Sequence, residues 1–180
     1  MLKIIVPGEE YFNEIKEEFE TVGDVELELE HSLISLSKWE SKHQKPFLAN
    51  SPKTPTEILS YIEAMVLTPN FSEDLFQRFT NIQYSQINAY IESKESATTF
   101  GDMPERRGRG ETITSELIYY WMVAFNIPFE CERWHLNRLF ALIRICNLKN
   151  SKPKKMSRSE LAARNRELNA KRRAQYDTRG

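Results

Sequence analysis

The chain has 180 residues, 40% of them hydrophobic, which suits one domain with an appendage and excludes wholesale disorder. No apolar run approaches the roughly 20 residues that cross a bilayer, and the apolar start ends at Pro7-Gly8, too early for a signal-peptide core, so secretion by that route is not expected. The net charge of −1 hides a segregation: residues 1–105 carry 8 basic and 19 acidic groups (−11), and residues 106–180 carry 17 and 7 (+10). A chain polarised in this way attracts acidic partners, or copies of itself head to tail.

Leu2–Val6 is a β-prone run stopped by a Pro-Gly turn, and Val25-Glu-Leu-Glu-Leu29 alternates with period two, placing Val25, Leu27 and Leu29 on one face. Together they predict a small N-terminal β-hairpin or sheet, with the acidic segment Glu9–Glu20 between the strands. The period then becomes helical. Ser32 can cap a helix carrying Leu33, Leu36 and Trp39 or Glu40, ending before Pro46. Thr54-Pro-Thr-Glu57 is a capping box with proline at the first helical position, followed by an apolar stripe of Ile58, Ile62, Met65 and Val66. Ser72 opens a short helix with Leu75, Phe76 and Phe79, and Ser85 opens another with Ile87, Tyr90 and Ile91.

Periodicity vanishes from about residue 93 to 111, where Gly101, Pro104, Gly108 and Gly110 interrupt the chain. This long loop holds Arg106, Arg107 and Arg109 in a basic, glycine-rich patch. Leu117, Ile118, Trp121 and Phe125 then recur at helical spacing, Asn126-Ile-Pro128 breaks the helix, and Leu136, Leu139, Phe140 and Ile143 share a face of its continuation. This helical pair is the predicted hydrophobic centre, packed against the helix that starts at Thr54. Cys131 and Cys146 read as parts of one helical segment, about 22 Å apart at a rise of 1.5 Å per residue, too far for a mutual disulfide.

The last thirty residues carry 10 basic and 3 acidic groups, +7. Lys152 to Lys155 form a basic linker, and Ser157-Arg-Ser-Glu160 is a second capping box. The helix it opens, about residues 158–176, has only Leu161 and Leu168 as large aliphatic residues. One thin seam cannot hold a helix to a core, so its surface should belong to a partner. The candidate partner-binding residues are Leu161, Arg164, Leu168, Lys171, Arg172 and Arg173, with Arg106, Arg107 and Arg109 in the loop as a second basic element.

The motifs of catalysis are missing. No CxxC, HExxH, GxSxG or phosphate-binding glycine loop occurs, and Cys131 with His135 would supply at most two metal ligands. The expectation is a binding protein, not an enzyme, with no metal and no cofactor. The fold class is mainly α (α+β): N-terminal strands, then a helical bundle, over residues 1–150, with a basic linker and helix at 151–180. The acidic main body favours a protein partner over nucleic acid for that helix.

Several blocks carry a resemblance: Glu30-His-Ser-Leu-Ile-Ser-Leu-Ser-Lys-Trp-Glu40 leading to Lys45-Pro-Phe; Ile113-Thr-Ser-Glu-Leu-Ile-Tyr-Tyr-Trp-Met122; Asn126-Ile-Pro-Phe-Glu-Cys131; Trp134-His-Leu-Asn-Arg-Leu139; Cys146-Asn-Leu-Lys-Asn150; and the basic ending from Met156 to Arg173. They resemble small proteins encoded among the tail genes of long-tailed bacteriophages and prophages, identified as tail assembly chaperones. The resemblance implies an escort for the aggregation-prone tape measure protein, acting in the host bacterial cytoplasm and leaving before the virion is complete. It brings no catalytic residues with it. Two further readings stand beside it: a structural virion protein at the head–tail junction or tail, and a nucleic-acid-associated phage protein.

Overall fold

The computed structural model describes residues 1–13, 17–100, 112–150 and 158–176. The fold is mainly α with some β, as the sequence pattern predicts. Contacts divide the chain into two compact units, Met1–Asn147 and Leu148–Gly180.

In the first unit, β1 (Leu2–Val6) pairs antiparallel with β4 (Val25–Leu29), Leu2 opposite Leu29 and Val6 opposite Val25. This register turns Ile4, Val6, Leu27 and Leu29 inward, where they are buried. Lys3, on the outer face, bridges Glu26 and Glu28 at 2.9 and 2.8 Å. The acidic segment between these strands is itself a hairpin: β2 (Glu9–Asn13) pairs with β3 (Glu18–Val22), Phe12 opposite Phe19. Its glutamates obscure a pairing that the few aromatic residues make possible. The junctions before and after this hairpin are fastened together. Gly8 N–H donates to the Asp24 carboxylate at 2.6 Å, and Arg78 donates to the carbonyls of Pro7 and Gly23. A side chain at position 8 would run into the Val22 carbonyl, which is why glycine stands there.

Helix α1 (Leu33–His43) starts at Ser32, whose side chain accepts from Ser35 N–H, and buries Leu33, Leu36, Trp39 and Glu40. Gln44 ends it in the left-handed conformation, two residues before Pro46. Helix α2 (Pro55–Met65) starts with the predicted capping box, Thr54 and Glu57 bonding reciprocally. Of its predicted stripe, Ile62, Met65 and Val66 are buried, but Ile58 is 45% exposed because the cover over the later turns does not extend to it. Tyr61 joins the core instead, its ring stacked on Phe47 at 3.8 Å. After α2 the chain runs along the open edge of β4: Glu30 N–H donates to Met65 O, Leu67 N–H to Glu28 O, and Glu28 N–H to the Thr68 hydroxyl. A sheet edge is thereby satisfied by a loop.

A 3-10 turn, Glu73–Arg78, is capped by Ser72 as expected. Helix α3 (Asn81–Glu92) begins five residues earlier than a cap at Ser85 would set it. Thr80 and Gln83 form its capping box, and Gln83 also donates to Ile5 O on β1. Helix α4 (Ser115–Ala124) buries Ile118 and Met122, with Trp121 and Phe125 packed at the core's margins and Leu117 only half-buried. Its main helical neighbour is α1 and not α2. The shared centre is therefore α1, with α2 on one side and α4 on another.

The expected continuation from Cys131 to Cys146 as one helix is incorrect. Cys131 lies in a 3-10 turn, Phe129–Arg133, and helix α5 (Leu136–Asn150) begins only after His135. Two forces oppose continuation. Cys131 N–H and Trp134 N–H bond three residues back, and His135 makes an antiparallel bridge with Ser32 that holds it extended. Both cysteines are free, Cys131 buried and Cys146 partly so. Burial raises the Cys131 thiol pKa, in keeping with a packing role.

Glu40 is buried on α1. One of its carboxyl oxygens accepts from Phe47 N–H at 2.8 Å and the other from Ser115 N–H at 2.7 Å. Glu40→Ala leaves both donors without an acceptor and should cost about 3 kcal/mol in chemical denaturation. Glu40→Gln, which keeps one acceptor oxygen, should cost less; equal losses would show that the second bond contributes nothing.

His31 is buried against Tyr61, with Nδ1 2.6 Å from the phenol, and burial, aided by nearby His135, lowers its pKa to about 4. A depressed histidine adds stability that is complete above its unfolded value of about 6.5 and is lost as pH falls toward its folded value. On the order of 3 kcal/mol should disappear between these limits. Glu57 adds a lower window. The Lys45 ammonium, with Thr54 N–H, holds its carboxyl at about 2, so its contribution is lost below the ordinary carboxylate range. Thermal melts from pH 7 to 4 should fall steadily, and the fall should flatten in His31→Gln. An unchanged slope in that variant would remove His31 as its source.

Candidate functional site

The region that the sequence assigns to partner binding is helix α6 (Arg158–Tyr176). Its composition explains the helix: Ala, Leu, Glu, Lys and Arg predominate, with no Gly or Pro between its ends. The capping Ser157 and the linker lysines lie outside the described residues. Leu161 and Leu168, seven residues apart, lie within about 20° of each other around a helix axis. They are 49% and 42% exposed. At 100° per residue, Arg164, Lys171 and Arg172 fall on the same side, while Arg173 lies about 120° round from Leu161. The helix thus brings five of the six candidates together on one face and separates Arg173 from them. Lys171 is paired with Glu167, one turn earlier, at 2.8 Å. The loop candidates Arg106, Arg107 and Arg109 lie outside the described residues.

The first unit carries a surface of opposite character. On the β2–β3 hairpin Phe12 and Phe19 meet edge to face, ring centres 5.2 Å apart, and are 50% and 71% exposed. Sequence reading saw only the glutamates here. The strand-like spacing of Tyr11-Phe12 and Phe19 was the available signal.

Titratable side chains do gather inside the first unit, around the β4–α1 junction. Met1's ammonium pairs with Glu30 at 2.9 Å, and the Tyr90 hydroxyl donates to the same carboxylate at 2.6 Å. His135 Nε2 bonds Tyr90 O at 3.0 Å and its Nδ1 bonds Asn137 N–H at 3.3 Å. The rings of His31 and His135 stand 5.1 Å apart. Burial and the Glu30 carboxylate both raise the Tyr90 phenol pKa. Among the described residues every buried polar side-chain atom has a partner. The cluster therefore joins the N-terminus, β4, α3 and α5.

Cys131 and His135 do not share a helical face, since the chain between them is a 3-10 turn followed by extended backbone. Among the described residues no group of three His, Cys, Asp or Glu side chains is placed to hold a metal ion. An open groove of about 450 Å³ runs between the segment after α3 and α5, lined by Lys94, Thr98, Phe100, Phe140 and Arg144 among others. Arg144 lies over the Phe100 ring at 4.2 Å, tying that segment to the helix. Among the described residues no helix is long and apolar enough to cross a membrane.

The buried core of the first unit is complete between Ile4 and Ile143. Deleting residues 151–180 should therefore preserve a cooperative melt, read by circular dichroism. A lost transition would place the terminal helix in the core. Comparisons with protein-family models, curated proteins and solved structures return no match.

Proposed function

We propose that this chain is a bacteriophage tail assembly chaperone, a binding protein rather than an enzyme. It would hold the tape measure protein in the host cytoplasm during tail assembly and be absent from the mature virion. The observation that carries this reading is the exposed Leu161–Leu168 seam set on a basic helix. Two leucines flanked by Arg164 and Arg172 offer an apolar strip for one face of a partner helix and charges for its acidic margins. The small apolar area limits affinity, and limited affinity suits an escort that must be displaced as the tail tube grows around its client. The sequence blocks that resemble tail assembly chaperones support the same reading.

Quantitative mass spectrometry of purified virions and of the infected-cell lysate tests it. The chain should be abundant in the lysate and missing from particles. A fixed copy number per particle would instead make it a structural component of the head–tail junction or tail. Within the chaperone reading, Leu161→Asp with Leu168→Asp should weaken capture of the tape measure protein at least about tenfold. Capture that survives this change but is abolished by salt would assign the grip to charge alone.

A further inference from the structure

The exposed Phe12–Phe19 pair has no role in the reading above. A two-stranded hairpin is marginal in water by itself, and an exposed aromatic pair is a costly way to face solvent. Here the cost is concentrated on the most acidic part of the chain: residues 9–24 hold seven acidic groups and one basic, a net charge of −6. Glu10 shares the pleat face of Phe12, and Glu18 and Glu9 stand on the other face at opposite ends of the ladder.

Helix α6 is the complement in both respects. It presents two exposed leucines where the hairpin presents two exposed phenylalanines. Residues 158–176 hold six basic groups and two acidic, a net charge of +4. Arg164 and Arg172 flank the leucine seam, and on the hairpin Glu10 stands beside the aromatic pair on the same face. A helix with so thin a seam gains most of its stability from docking, and so does a two-stranded hairpin.

We propose that the β2–β3 hairpin of one copy receives helix α6 of a second copy, Leu161 and Leu168 packing on Phe12 and Phe19, with Arg164 and Arg172 drawn to Glu10 and to the hairpin's net negative charge. Every copy carries both halves, so the contact is heterologous: it either closes reciprocally between two copies or continues as a head-to-tail series. The inference rests on α6 being an interaction helix, as proposed above, and adds what covers the leucine seam before a client arrives. Client binding and self-association then compete for one surface.

Sedimentation velocity of the purified full chain tests this without any phage component. Mass should rise with protein concentration, and association should weaken at least about tenfold between 50 and 500 mM NaCl. A hairpin variant (Phe12→Ser, Glu10→Lys, Glu18→Lys) and a helix variant (Arg164→Glu, Arg172→Glu) should each stay monomeric, with the main melt retained. Mixed together they should associate, because the helix variant keeps a native hairpin and the hairpin variant keeps a native helix. A wild-type monomer at every concentration, association that persists in either variant, or a mixture that stays monomeric would each overturn the proposal. A chain that self-associates but does not capture the tape measure protein would leave this inference standing and remove the chaperone reading alone.

Discussion

Glu40 lies buried on α1, and its two carboxyl oxygens accept from Phe47 N–H and Ser115 N–H, the second of them 75 residues away in the chain. Placing a carboxyl group in a core is costly unless its acceptors are used, and here both are. One bond folds the segment after α1 back so that Phe47 can stack on Tyr61 and meet Trp39 edge to face. The other fixes the first turn of α4 against α1. Trp39, one residue before Glu40, donates its indole N–H to Glu57 O and so joins α2 to the same helix. The arrangement of three helices thus follows from two neighbouring side chains on one buried face.

A second set of bonds fixes α5 and the N-terminal strands. Leu136 N–H donates to His31 O, Ser32 bridges His135, and Glu30 collects the N-terminal ammonium and the Tyr90 hydroxyl. These two histidines, two tyrosines and a carboxylate bond to one another and to the backbone, tying the N-terminus, α3 and α5 together. The functional proposals rest on the surface: a basic helix with a leucine seam, and an acidic hairpin with an aromatic pair.

Charge segregation links those two surfaces to the proposed role. A chain with +10 in residues 106–180 and −11 in residues 1–105 gains little specificity from its net charge of −1, but much from where the charges stand. Electrostatic attraction speeds encounter and is screened by salt, while small apolar contact areas keep dissociation fast. Such contacts suit the proposed exchange, in which self-association would cover the seam until a client with a longer apolar stripe displaced it.

The local signals were legible in the sequence wherever a few adjacent residues complete their own hydrogen bonds. Ser32, Ser72 and the Thr54–Glu57 box open helices where the pattern places them, and the alternation of Val25, Leu27 and Leu29 gives the strand its buried face. The terminal helix was equally legible, since propensity and charge act within it alone, and so was the seam that makes it a candidate site. Tertiary structure decided the rest. Thr80 and Gln83, rather than Ser85, set the start of α3 because Gln83 also reaches β1. His135 breaks the segment that joins the cysteines because a bridge to Ser32, more than a hundred residues earlier, outweighs helix continuation. The exposed Phe12–Phe19 pair depends on a strand register that composition conceals, as glutamates surround it. Capping and periodicity are properties of neighbours in sequence, whereas a helix's partner, a broken helix or an aromatic pair depends on bonds between residues far apart in the chain.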